Sequence, residues 1–155
     1  MRMTYLVLAR TIAILVVVQA MAIVWAISGL FTWIDDGATL DKSVIEGWED
    51  NPPDFEGSFG SFLHFFAIGQ GLIPLAGLLL LIVAFFAKVP RGVLLAVIVV
   101  VAIVVQILLG MNSQGTPIFG MLHGLGAFIL FGAALAASMA AKNAGAAQSS
   151  PAPAV

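Results

Sequence analysis

Two histidines, His64 and His123, are the only imidazoles in the chain, and each stands near the start of a long apolar run. Imidazole can ligate a metal, exchange a proton near neutral pH, or give and take a hydrogen bond. An ionisable side chain inside a membrane segment is costly, and is usually paired or functional. The first run, Gly57–Lys88, reads GSFGSFLHFFAIGQGLIPLAGLLLLIVAFFAK. The second, Gly115–Lys142, reads GTPIFGMLHGLGAFILFGAALAASMAAK. Both begin with glycine, carry histidine early and end in a lysine.

The residues around this pair narrow its chemistry. The absence of cysteine removes disulfides, thiolate metal sites, iron–sulfur clusters and covalent haem attachment. Zinc normally takes three or more protein ligands, and the apolar runs offer no Cys, Asp or Glu to join the histidines. A proton path would need carboxylates in those runs, and there are none. Low-spin haem iron asks for two axial ligands, which a pair of neutral imidazoles supplies. Interhelical or interfacial hydrogen bonding, and contact with a quinone or another ligand, stay open beside that reading.

The elements that must position the histidines are membrane helices. Hydrophobic residues make up 61% of the 155 and charged residues 9%, too few to solvate the surface of a soluble domain. Four apolar runs, near 11–33, 59–87, 92–111 and 117–141, each reach the roughly 20 residues that cross a bilayer as helix. No strand alternation suggests a barrel, and helices satisfy their own backbone in lipid. The first run is too long for a signal-peptide core and lacks a clean cleavage site, so it is expected to be retained.

Charge orients the four spans. Arg2, Arg10, Lys88, Arg91 and Lys142 fall on one side of an up-and-down weave, and all eight acids fall in the loop Asp35–Glu56 with Lys42. The Lys and Arg bias predicts cytoplasmic termini, a cytoplasmic 88–91 turn and an outer acidic loop. Within the loop (34–58), a short amphipathic turn is expected around Leu40–Trp48 before an extended Asn-Pro-Pro segment. Trp48 and Phe55 are candidates to fold back as interface anchors. Glu49, Asp50 and Asp54 lack the spacing of a calcium loop such as the EF-hand. The small-residue, proline-rich tail 143–155 is expected to be disordered in the cytoplasm.

A weak repeat runs through the chain. Helices one and three each carry a glutamine in an apolar run, VVVQ at Val16–Gln19 and VVQILLG at Val104–Gly110, while two and four each carry the histidine and then glycines. Two related hairpins joined in the same direction predict a four-helix up-and-down bundle. His64 lies five residues after Phe59 and His123 six after Pro117. A rise of about 1.5 Å per residue puts both roughly 7–9 Å below the outer helix ends. In such a bundle helices two and four are diagonal, with axes roughly 11–14 Å apart if neighbours are about 8–10 Å apart.

Stepping by three and four from His64 gives Ala67, Ile68, Gly71, Leu75 and Ile82; from His123 it gives Gly126, Ala127, Leu130, Ala134 and Ala137. Gly71 and Gly126 would leave room for a flat ligand, with Phe65, Phe66, Phe119 and Phe128 at its edges. Small residues at such spacings, Gly120 and Gly124 included, are also ordinary membrane packing surfaces. Gln106 is level with the histidines and would accept a ring N–H or bond a carboxylate. Gln19 lies nearer the bilayer centre and would bridge helices.

These residues resemble an uncharacterised family of small bacterial four-helix membrane proteins, through VVVQ, FLHFFAIGQG at Phe62–Gly71, VVQILLG and LHGLGAFILF at Leu122–Phe131. The layout is also similar to one half of haem A synthase and to b-type membrane cytochromes, whose paired histidines hold haem. That resemblance implies His64 and His123 as axial ligands of haem b. The chain has one histidine pair where the two-haem cytochromes have two, and it lacks the glutamate that haem A synthase sets beside histidine. The expectation is an electron-transfer component in the lipid bilayer that meets quinone or a larger redox complex, as monomer or oligomer, with no nucleic-acid partner. An accessory or assembly subunit without its own cofactor is the alternative.

Overall fold

The computed structural model describes residues 1–48, 50–113 and 115–149. The described chain is helical: α1 (Arg2–Asp35), α2 (Lys42–Glu46), α3 (Ser58–Phe62), a π-helix (Leu63–Leu72), α4 (Ile73–Ala84), α5 (Gly92–Met111) and α6 (Pro117–Ser149). No strand occurs among the described residues. Four helical stretches are long and apolar enough to cross a membrane: Arg2–Asp35, Ser58–Ala84, Gly92–Met111 and Pro117–Ala147. Large side chains such as Met21, Phe86 and Phe128 stay exposed, as lipid-facing residues do.

Two helices are longer than the apolar runs suggest. The first begins at Arg2 instead of near residue 11, because Arg10 and its neighbours are sound helix formers and an arginine head can reach out from an apolar stem. The last continues beyond Lys142 to Ser149, through an alanine-rich segment of high helix propensity. The disorder expected for 143–155 therefore does not describe 143–149, and residues 150–155 lie outside the described residues. The second span ends at Ala84, and the turn after it holds two non-glycine residues in the left-handed region, Lys88 (φ 51°) and Arg91 (φ 57°).

The chain divides into two compact units, one of residues 1–16 with 70–155, the other of residues 17–69. In the first, α4 packs on α5 and α5 on α6. Its fully buried side chains include Tyr5, Ile12, Leu80 and Val99, among small residues such as Ala9, Ala96, Ala134 and Ala137. Small contact residues let helix backbones approach where water supplies no driving force. The Tyr5 hydroxyl donates to the Gly92 carbonyl at 2.8 Å, and Arg2 Nη1 to the Ala144 carbonyl at 3.3 Å.

In the second unit, the later part of α1 lies close along residues 55–60. A Cβ at Gly29 would collide with the Glu56 carbonyl, and one at Gly60 with the Ala22 carbonyl. Gly57 caps α3 at φ 94°, and a Cβ there would lie 2.7 Å from the Trp25 carbonyl oxygen. Phe55 is buried with its ring against Trp33 and Trp48 at centroid distances of 6.2 Å, so the loop aromatics do fold back. Asp41 caps α2 by accepting from the Ser43 and Val44 amides. Glu49 lies outside the described residues.

Candidate functional site

His64 sits near the start of the π-helix, half-buried, with its ring edge-on to Phe65 at 4.9 Å. Its Nδ1 lies 3.1 Å from the main-chain carbonyl oxygen of Gln19 on α1. The Gln19 side chain answers in the other direction, its Nε2 donating to the His64 carbonyl at 3.1 Å. One glutamine thus holds both the ring and the backbone of one histidine. A Cβ at Gly69 would lie 2.5 Å from the His64 carbonyl oxygen and 2.7 Å from Gln19 Nε2, so glycine is what admits the carboxamide.

His123 repeats half of this arrangement in the other unit. Its Nδ1 lies 2.9 Å from the main-chain carbonyl oxygen of Gln106 on α5. The half-buried ring rests on Gly110, where a Cβ would come within 3.1 Å of Cε1 and 3.2 Å of Nδ1. The Gln106 side chain runs over Gly126, whose Cβ would collide with Oε1. That Oε1 is buried without a hydrogen-bond partner.

The chemistry of these contacts fixes the tautomer. A carbonyl oxygen only accepts, so Nδ1 carries a proton in both rings and, in the neutral imidazole, the lone pair belongs to Nε2. A ring N–H given to a main-chain carbonyl orients an imidazole and raises its basicity as a metal ligand. In that tautomer the ring nitrogen able to ligate a metal is Nε2. Among the described residues no three His, Asp or Glu side chains gather as a metal-ligand set.

The expected site residues divide as follows. His64 lies in the unit of residues 17–69, while His123, Gln106 and Gly126 come together in the other. Gln106 does receive a ring N–H, but through its main chain and not its side chain. Gly126 makes room for Gln106. Gly71 is exposed in the π-helix. The face drawn from His64 by steps of three and four assumes α winding; here each carbonyl faces the amide five residues on, which brings Gly69 over His64. The sequence reading missed Gln19 and Gly69 as partners of His64. The repeat of Gln and His on matched helices was the available signal.

No protein-family model, curated protein or solved structure matches this chain.

Proposed function

We propose that the protein is a small integral membrane b-type cytochrome, with His64 and His123 as the two axial ligands of one haem. The observation that carries this reading is the repeated Nδ1–H to glutamine-carbonyl bond, which leaves both imidazoles in the tautomer that ligates through Nε2. A haem held in this way supplies reversible one-electron transfer. The chain's own part is to orient the rings through the two carbonyls and to surround them with apolar side chains that lower the local dielectric. Quinone or a larger membrane redox complex is the partner class that suits a lipid-embedded one-electron carrier.

The same reading sets the haem toward the outer face of a bacterial cytoplasmic membrane, in an up-and-down bundle with both termini inside. The Tyr5–Gly92 and Arg2–Ala144 bonds support it, because they join the N-terminus, the start of α5 and the late part of α6. Single cysteines introduced at residue 38 or 90 into this cysteine-free chain test it. Only the residue-38 thiol should react with an impermeant reagent in intact cells.

The deciding experiment is a dithionite-reduced absorption spectrum of protein purified from cells with ample haem. A sharp α-band typical of low-spin b haem is expected, lost in His64→Ala and in His123→Ala. Its absence from the parent protein would falsify the cytochrome reading. One observation favours a second reading, an accessory or assembly subunit without a cofactor: each histidine already ties the two helices of its own hairpin. In that case the parent protein shows no haem band, and the double alanine variant still assembles with its host complex.

A further inference from the structure

The helix around His64 is π-wound over ten residues, Leu63–Leu72, whereas His123 stands on an α-helix. Most π winding in proteins is confined to a single turn. A run of this length needs a local cause, and residues 17–69 contain one. We propose that Gln19 is a positioning residue which, with Gly69, locks the π winding at His64 and thereby sets the direction of its imidazole. The contacts behind the proposal, among Gln19, His64 and Gly69, lie within that unit, and it stands whether or not His64 holds a haem.

The lock has two grips. The Gln19 carboxamide donates to the His64 carbonyl, and the Gln19 carbonyl accepts from the His64 ring. Rewinding 63–72 as α-helix would re-pair the His64 carbonyl with the amide four residues on, and would rotate the ring relative to α1. One or both bonds to Gln19 would then break. Gly69 is the residue that π winding sets five positions ahead, and its bare Cα leaves the space in which carbonyl and carboxamide meet.

The second hairpin serves as an internal control. There the ring bond is kept, the Gln106 carboxamide oxygen has no partner, and the helix is α. The side-chain grip and the π winding thus occur together in one hairpin, without that winding in the other. The rival cause is Pro74, near the start of α4, whose ring would clash with the carbonyl four residues back in an unbroken α-helix.

The two-histidine composition makes the test specific. Protein labelled with carbonyl-¹³C histidine carries two labelled carbonyls, and His123→Ala assigns the remaining infrared band to His64. The His64 band should lie at the lower wavenumber, because its carbonyl takes a side-chain bond besides its helical one. Gln19→Leu should shift that band upward and leave the His123 band in place, which also shows that the variant is folded. Gly69→Ala should give the same shift, and Gln106→Leu should move neither band. In ¹⁵N-histidine spectra of Gln19→Leu, the His64 Nδ1–H resonance should move, reporting the ring itself. An unmoved His64 band in Gln19→Leu overturns the proposal. So does a return of 63–72 to α-helical amide hydrogen bonding in Pro74→Ala, read by amide exchange, with the His64 band unmoved, which would assign the winding to the proline.

Discussion

The Gln19–His64 and Gln106–His123 pairs begin from the same residue types on matched helices and end with different degrees of satisfaction. Both rings give Nδ1–H to a glutamine main chain. Only Gln19 also uses its side chain, on a carbonyl that π winding presents to it. Gln106 leaves a buried acceptor unpaired against an α-helix whose amide N–H groups are already given within the helix. A duplicated motif therefore fixes the ring contact, while helix winding decides what becomes of the carboxamide.

Two glycine substitutions press hardest on this difference. An alanine methyl at Gly69 meets a main-chain oxygen that cannot move without disturbing the helix. Gly69→Ala should cost about 2–3 kcal/mol in denaturant unfolding from detergent. At Gly126 the methyl meets the far end of a flexible side chain, so Gly126→Ala should cost less than about 1 kcal/mol in the same assay. Equal losses would remove the asymmetry.

The glutamines themselves should respond with opposite sign. Gln19→Leu removes a made bond and should lower stability by about 1 kcal/mol. Gln106→Leu removes an unpaired buried acceptor at similar volume and should raise stability by about 1 kcal/mol. Losses in both would mean that Gln106 is as well satisfied as Gln19.

The smallest expected effect lies in the acidic loop, at the cap of α2. The Ser43 hydroxyl, and then the Val44 amide, hold the Asp41 carboxyl below its ordinary value of 3.8. A depressed carboxylate pKa stabilises the fold above the unfolded value and loses that contribution as pH falls through the folded one. The α2 cap should therefore survive at neutral pH and loosen only below about pH 3.8. Hydrogen-exchange protection at residues 42–46, taken relative to the unstructured rate at each pH, should fall there, and should be lower in Asp41→Ala at neutral pH, with the histidine pairs unaffected.

Much of the molecule was legible before its coordinates. Hydropathy locates all four spans, and α5 begins and ends where the apolar run does. His123 and Gln106 are readable as neighbours because the turn between α5 and α6 is short, which leaves little freedom in their relative depth. Gln19 was readable as a bridge between helices, which it is. His64 was not readable as its partner, because α1 runs on to Asp35 while residues 55–60 return alongside its middle, Gly57 beside Trp25 and Gly60 beside Ala22. Counting from helix ends therefore put Gln19 too deep relative to His64. The π winding has no hydrophobic period of its own, since apolar residues cover every side of 63–72. Only Pro74 marks a disturbed helix there.

The Tyr5 bond to Gly92 has a consequence for how the protein is made. Residues 17–35 of α1 find their partners at 55–69, soon after they leave the ribosome. Residues 2–16 belong with segments that do not yet exist, since Gly92 follows Tyr5 by 87 positions and Ala144 follows Arg2 by 142. At a synthesis rate of about 5–20 residues per second, the Tyr5 hydroxyl waits several seconds for its acceptor. One continuous helix is thus completed in two instalments, its far end docking early and its first turns only after later segments have been made.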